Sequence, residues 1–191
     1  QRTMSFVTFR IAVPRNSGKE DIIPVICDAE MILDYIDKSP IGRYVNVEGR
    51  FCSFLQINED RTTSSKKYLY VRELYITDNK DEFFYPIGTN VVVIEGELNY
   101  DSVYRSTPLG RKITELPIIC RRPNGRPDHL TAIAWGINAL DAADLVKGDK
   151  VKITGRLQSR NYYKDGEKTV YEISVKEFET QQAESKENFV L

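Results

Sequence analysis

The chain has 191 residues, 41% of them hydrophobic, and its 27 basic and 28 acidic residues nearly cancel. The overall charge therefore does not indicate a polyanionic partner. This length allows one large hydrophobic core or two small ones. Apolar runs such as residues 91–94 are far shorter than the ~20 residues of a membrane-spanning helix, and the first fifteen residues lack a signal peptide's apolar core, so we expect a cytoplasmic protein.

The first half of the chain is predicted to form strands separated by turns. A polar turn containing Ser-Gly, at residues 15–20, precedes an apolar strand at residues 21–28. A second landmark, residues 42–50, begins with Gly42 and continues as a strand, and residues 68–74 alternate as another. This half therefore favours β-structure.

The second half shows the same kind of pattern more completely. Its predicted strands cover residues 90–98, 113–122, 129–135, 151–157 and 169–178. The first two are joined by a loop at 101–112, and a short helix at 139–145 lies between Gly136 and Gly148. Five strands with a helix between the third and fourth describe the Greek-key barrel called the OB-fold.

An internal repeat relates the two halves. Arg15 and Asp21 stand opposite Arg122 and Asp128 at an offset of 107, and residues 42–50 stand opposite 148–156 at an offset of 106. A period of this length indicates duplicated domains instead of a solenoid. We therefore predict an all-β protein of two tandem five-stranded OB-fold barrels, each with a short helix between strands 3 and 4. The expected ranges are 1–80, 90–180 and a flexible tail at 181–191.

The first copy lacks a counterpart for part of the second. Gln1 stands where Pro108 stands, so the first half of strand 1 has no equivalent. We expect either that a native chain begins some twenty residues earlier, as the offset implies, or that the first barrel is open at this edge.

Three segments carry a resemblance to a known family. They are residues 104–111 in the strand-one loop, residues 134–136 before the helix, and residues 146–160 leading into Tyr162. They resemble the bacterial single-stranded-DNA-binding protein family, well over residues 90–180 and more loosely over 5–76, in a tandem two-domain version. The resemblance implies an OB-fold that coats single strands during DNA replication, recombination or repair, without base specificity and without catalysis.

A sequence-tolerant single-strand binder needs cations along a groove and exposed aromatic rings. Residues 101–128 hold six basic and three acidic residues, and residues 147–168 hold seven and three. The predicted DNA-binding residues of the second domain lie in these segments or beside them: Arg105, Arg111, Arg121, Arg122, Trp135, Arg156, Arg160 and Tyr162. The corresponding residues of the first domain are Arg15, Arg50 and Phe54.

The aromatic residues have structural alternatives. By resemblance, Trp135 occupies a base-stacking position, but a core tryptophan would explain it equally well. Only one of Tyr162 and Tyr163 can face a groove in an alternating strand, and Tyr162 matches the family's aromatic position. Asp28 stands opposite Trp135 in the repeat and would repel phosphate, so the first domain is expected to bind less strongly.

Catalysis is not expected. The chain has one histidine, His129, and no C-x-x-C, H-E-x-x-H or phosphate-binding-loop motif. Cys27, Cys52 and Cys120 are widely spaced among apolar neighbours, which is typical of buried free thiols in a reducing compartment. We therefore predict no enzymatic activity, no cofactor and no metal site.

One other function class stays open. A pair of OB-folds could serve as a protein-interaction adaptor, primosome-like or recombination-mediator-like, with little or no DNA binding. Single-stranded DNA is the expected partner, together with replication or recombination proteins, and no membrane. Two chains would supply the four OB-folds that many relatives assemble, so a homodimer is expected.

Overall fold

The computed structural model describes residues 5–35, 39, 41–58, 60–82, 85–163 and 166–181. Its internal contacts divide the described chain into two units. Unit 1 comprises residues within 1–90 together with 158–171, and unit 2 comprises residues within 91–157 and 172–191. Most of the predicted tail, 182–191, lies outside the described residues. No described helix is long and apolar enough to cross a membrane.

Unit 1 is built on a four-stranded sheet. Its strands are β1 (Phe6–Pro14), β2 (Glu20–Asp28), β3 (Tyr44–Ile57) and β4 (Thr63–Thr77), in the order β1-β2-β4-β3. A 3-10 helix, Ala29–Tyr35, follows β2, and a second short one, Lys80–Glu82, follows β4. Alternate residues turn inward, so that Val25, Cys27 and Val71 are buried and form the centre of the core.

Unit 2 has six strands and one α-helix. They are β5 (Val92–Leu98), β6 (Val103–Ser106), β7 (Lys112–Arg121), β8 (Pro127–Trp135), α1 (Ile137–Asp141), β9 (Lys150–Tyr163) and β10 (Glu167–Gln181). The sheet order is β5-β9-β10-β8-β7-β6, and β5 also pairs with β7. The five long strands therefore close on themselves, and β6 lies at the edge of β7. Leu98, Leu116, Ile118, Ile153 and Ile173 are fully buried inside.

The outer ends of β9 and β10, residues 158–171, belong to unit 1. There, Ser159 makes two hydrogen bonds with β2 and one with Arg15 in the turn before β2. Its backbone N–H donates to Asp21 Oδ1 (2.7 Å), its carbonyl accepts from Arg15 Nη2 (3.1 Å), and its Oγ accepts from the N–H of Ile22 (2.9 Å). Asp21 is fully buried, so this polar contact is made inside the unit.

The two units share details that follow from the sequence repeat. In the parallel pairing of β2 with β4, Ile26 lies opposite Tyr70, and in that of β8 with β10, Ile133 lies opposite Ser174. A Cβ added to Gly49 would lie 2.1 Å from the carbonyl oxygen of Tyr70, and one added to Gly155 would lie 2.3 Å from that of Ser174. Each glycine therefore permits the same close crossing of strands.

The fold prediction is confirmed at the level of a mostly β protein with two sheets. The strand counts differ from five in both units. Among the described residues the sheet of unit 1 has four strands and is not closed, while the sheet of unit 2 adds β6 inside the segment predicted to be a loop. The helix of unit 2 spans 137–141 instead of 139–145, because Gly136, with φ of 60°, lets the chain turn into the helix immediately after β8.

Candidate nucleic-acid interface

Trp135 lies at the end of β8 with 37% of its surface exposed, so it is not a sealed core residue. Its neighbours Leu130, Ala132 and Ala134 are buried, and the alternation turns Trp135 to the outer face. Pairing places Trp135 opposite Ile113, and Ile113 opposite Arg105. Directly paired residues share a face, so Arg105 and Trp135 belong to one row across three strands.

Two cations accompany Trp135 at this end of the sheet. The Arg105 side chain is about half exposed, with Nη2 3.4 Å from Glu115 Oε2. Such an exposed pair is worth at most about 1 kcal/mol, so Arg105 can exchange this partner for a phosphate at low cost. Arg111 lies in the turn before β7, exposed, and its backbone N–H donates to Thr107 Oγ1 (3.1 Å).

The neighbouring side chains of β6 and β7 form a pair that the sequence analysis did not include among its site residues. Lys112 Nζ lies 5.8 Å from the centre of the Tyr104 ring and donates to Ser106 Oγ at 2.8 Å. Because successive side chains of a strand alternate, Tyr104 points away from the face of Arg105. The pair was missed because residues 101–112 were predicted to be a loop, in which Tyr104 and Lys112 have no strand pairing to bring them together.

Arg121 and Arg122 lie at the opposite end of β7. Ten residues of strand separate Arg121 from Arg111, about 30 Å at the usual rise per residue. Arg121 pairs with Glu97 at 3.1 Å on the surface. Arg121 and Arg122 thus lie far along this strand from Arg111 and Trp135, and a shared groove for these residues stays a prediction.

Arg122 has a structural partner instead. Its Nε and Nη2 donate to the two carboxylate oxygens of Asp128 at 2.9 and 2.5 Å, and Asp128 is only 2% exposed. In unit 1 Arg15 makes the same two-pronged contact with buried Asp21, and this contact raises the pKa of Arg15 above its ordinary value. Both arginines thus compensate buried carboxylates, and their contact with DNA stays a prediction.

Arg156 is the remaining cation of unit 2 among the predicted residues. It follows Gly155 on β9, where Val151, Ile153 and Leu157 point into the core. The alternation directs Arg156 to the outer face, where it is half-buried.

Five predicted residues belong to unit 1. Arg15 is held by Asp21 as described, and Arg50 on β3 is half-buried opposite Tyr70. The Phe54 ring meets the Tyr68 ring edge to face, with centroids 6.0 Å apart. Arg160 is exposed on β9, as is Tyr163, whereas Tyr162 is half-buried.

The other chemistry-bearing residues do not assemble. Within the described ranges, no three or more His, Cys, Asp or Glu side chains form a group that could hold a metal ion. None of the three cysteines forms a disulfide bond, and Cys27 and Cys52 are buried whereas Cys120 is half-buried. Burial, and secondarily the charge of Asp28, raises the pKa of the Cys27 thiol.

The fold is similar to that of a solved protein over nearly the whole chain. The wild-type single-stranded DNA-binding protein from Thermus aquaticus superposes with a TM-score of 0.65 over 93% of this chain and 80% of its own, at 21% identity. A deletion mutant of the same protein gives 0.65 over 96% and 84%, also at 21% identity. At 21% identity this likeness concerns the fold alone.

Two bacterial proteins are similar to this chain in sequence. A protein of Listeria innocua, "Single-stranded DNA-binding protein 3", is 33% identical over 106 residues, which are 52% of this chain and 66% of the relative. The single-stranded DNA-binding protein of Oceanobacillus iheyensis is 33% identical over 93 residues, 45% of this chain and 58% of the relative. The matches thus span less than two thirds of either relative. Residues 89–181, which include Trp135 and the cations beside it, match the Single-strand binding protein family.

Proposed function

We propose that the chain binds single-stranded DNA without base preference through the outer face of unit 2. The observation that carries this proposal is the half-exposed Trp135, in one cross-strand row with Arg105 and beside Arg111. The family match over 89–181 and the names of the two bacterial relatives support the same ligand.

The proposed contacts use two physical interactions. A base stacks on the exposed part of the Trp135 indole, which is worth about 1–3 kcal/mol and does not depend on base identity. Arg105, Arg111 and Arg156 contact phosphates, and each contact releases counterions from the strand. Both interactions are non-covalent, so the proposed function involves no chemical reaction.

We also propose the domain organisation, the oligomeric state and the cellular role of the chain. The chain carries two OB-fold domains, at about residues 1–80 and 90–180, and a homodimer presents four of them. In this form the cytoplasmic protein protects single strands in DNA replication, recombination or repair, and replication or recombination proteins are its further partners.

A fluorescence titration tests the proposal. Trp135 is the single tryptophan of the chain, so its emission reports on this face alone. Adding oligo(dT) should quench it, and three phosphate contacts predict that log K falls with log salt at a slope of about −2. A matched Trp135→Phe variant should still bind, as measured with labelled DNA. If the wild type shows neither quenching nor salt-dependent binding, the adaptor function takes the place of this one.

A further inference from the structure

The sheet of unit 1 is open at the place where the sheet of unit 2 is closed by β5. In unit 2, β5 pairs with both β9 and β7. The sequence repeat makes β3 and β1 the counterparts of β9 and β7, and in the described part of unit 1 these two strands are the edges of the sheet. We call the place between these edges, bordered by residues 44–49 of β3 and residues 9–12 of β1, the seam.

Side chains along the seam are less buried than their counterparts in unit 2. Four core residues of unit 2 are at most 3% exposed: Leu116, Ile118, Val151 and Ile153. At the offsets of the repeat, the corresponding residues of unit 1 are only half-buried: Phe9, Ile11, Val45 and Val47. Removing apolar surface from water is favourable. The seam therefore presents apolar side chains that one further strand would cover.

The geometry of β5 shows what kind of strand fits such a place. Its inward residues Ile94 and Leu98 are buried, and Gly96 lies between them where β5 crosses β7. A Cβ added to Gly96 would lie 2.4 Å from the carbonyl oxygen of Ile119. The repeat aligns Ile119 with Ala12 on β1, so a strand in the seam meets the same crossing. It therefore needs a glycine between two inward apolar residues.

The charges beside the seam favour a basic residue on the outward face of the added strand. Glu48 on β3 lies directly opposite Glu73 on β4, and both side chains are exposed. Like charges in paired positions destabilise a sheet, and Arg72, next to Glu73, supplies one cation for two carboxylates. In unit 2, Val93 of β5 pairs with Thr154, the counterpart of Glu48. A lysine or arginine at the position of Val93 would therefore lie beside Glu48 and offset its charge.

We infer that the seam of unit 1 is a docking site for an extended segment of a partner protein, which adds to β3 as an antiparallel strand. The segment has the pattern basic–apolar–x–Gly–x–apolar, with its basic residue beside Glu48. Backbone hydrogen bonds to the edge of β3 supply affinity, and the inward apolar residues supply specificity. The inference is independent of the proposed function, because it uses no residue on the outer face of unit 2.

A synthetic peptide with the sequence of residues 90–99 provides the probe, because it contains β5 itself. It carries Val93→Lys and a fluorescent label, and its binding to the whole protein is measured by fluorescence anisotropy. We expect saturable binding of one peptide per chain. The same peptide with Gly96→Val should bind at least about 5-fold more weakly, because the valine side chain would overlap the backbone of β1 at the crossing.

A charge exchange places the peptide on β3. A peptide with Val93→Glu should bind the wild-type protein about 5-fold more weakly than the Val93→Lys peptide, and this preference should reverse for a Glu48→Lys protein. Glu177→Lys makes the same change at an exposed position of β10 in unit 2, and it should keep the preference of the wild type. Urea denaturation checks that each variant is folded. Glu48→Gln, which should abolish the preference, takes the place of Glu48→Lys if that variant is unfolded.

Several results would overturn the inference. No saturable binding by the wild type would mean that the seam does not accept a strand. An unchanged charge preference in the Glu48 variants, or equal binding of the Gly96→Val peptide, would mean that the peptide binds elsewhere. Sedimentation velocity identifies the last case. If the peptide binds only as it dissociates a dimer, the seam is occupied by a second copy of the chain and not by a partner protein.

Discussion

Replacing Arg122 by alanine should destabilise unit 2 strongly, although Arg122 was predicted from sequence as a DNA contact. Asp128 is 2% exposed and would lose two hydrogen bonds, of 2.9 and 2.5 Å, while remaining buried. Removing one partner of a buried ion pair typically costs about 3–5 kcal/mol. The neighbouring Arg121 is 66% exposed at its side chain, so Arg121→Ala should cost at most about 1 kcal/mol.

Urea unfolding followed by Trp135 emission measures this difference. With a slope of about 1–3 kcal/mol per molar urea, a loss of 3 kcal/mol lowers the midpoint of Arg122→Ala by about 1–3 M. Arg121→Ala removes the same charge from the adjacent position and is the matched control. Equal midpoints for the two variants would show that the Arg122–Asp128 pair contributes no more than a surface ion pair, and the reasoning would fail.

Two more predictions concern stability. Gly155→Ala places a Cβ 2.3 Å from the carbonyl oxygen of Ser174, so β9 and β10 must separate, and we expect a loss of about 2 kcal/mol or more in urea unfolding; a loss below about 0.5 kcal/mol would contradict the close crossing. Hydrogen bonds from Thr77 and Tyr75 lower the pKa of Glu82. The ionised carboxylate therefore stabilises the folded protein fully above the ordinary carboxyl pKa, and this contribution is lost as the pH falls through the lowered pKa. The melting temperatures of wild type and Thr77→Val should therefore converge from pH 6 to pH 3, and a constant difference would exclude this linkage.

The strands were predictable because their patterns are local. Alternating burial along β7 and β8 reflects a period of two that any reader of residues 113–135 can see. The repeat was visible for the same reason, since Arg15 and Arg122 are each followed by a glycine-containing turn and an aspartate six residues on. Strand β6 was missed because four exposed residues carry no alternation in hydrophobicity.

The site depends on information that no single strand contains. Arg105 and Trp135 share a face because of the register of two strand pairs, and register is set by the packing of the whole sheet. The sequence also does not show that Asp128 is buried. Because Arg122 donates to this buried carboxylate, Arg122 has a structural role that the sequence could not indicate. The ring pairs of Phe6 with Tyr70 and Phe54 with Tyr68 were overlooked for the same reason: their members lie far apart in the chain.

The assignment of residues 158–171 to unit 1 has a consequence for how the protein is made. During synthesis, the amino-terminal 90 residues leave the ribosome long before Ser159 exists, so the Asp21 carboxylate must wait for its amide partner. Unit 1 is thus completed only after most of unit 2 has been translated. The folding of unit 1 therefore depends on the last fifth of the chain. A nascent chain arrested before Ser159 would leave the Asp21 carboxylate without the backbone N–H of Ser159.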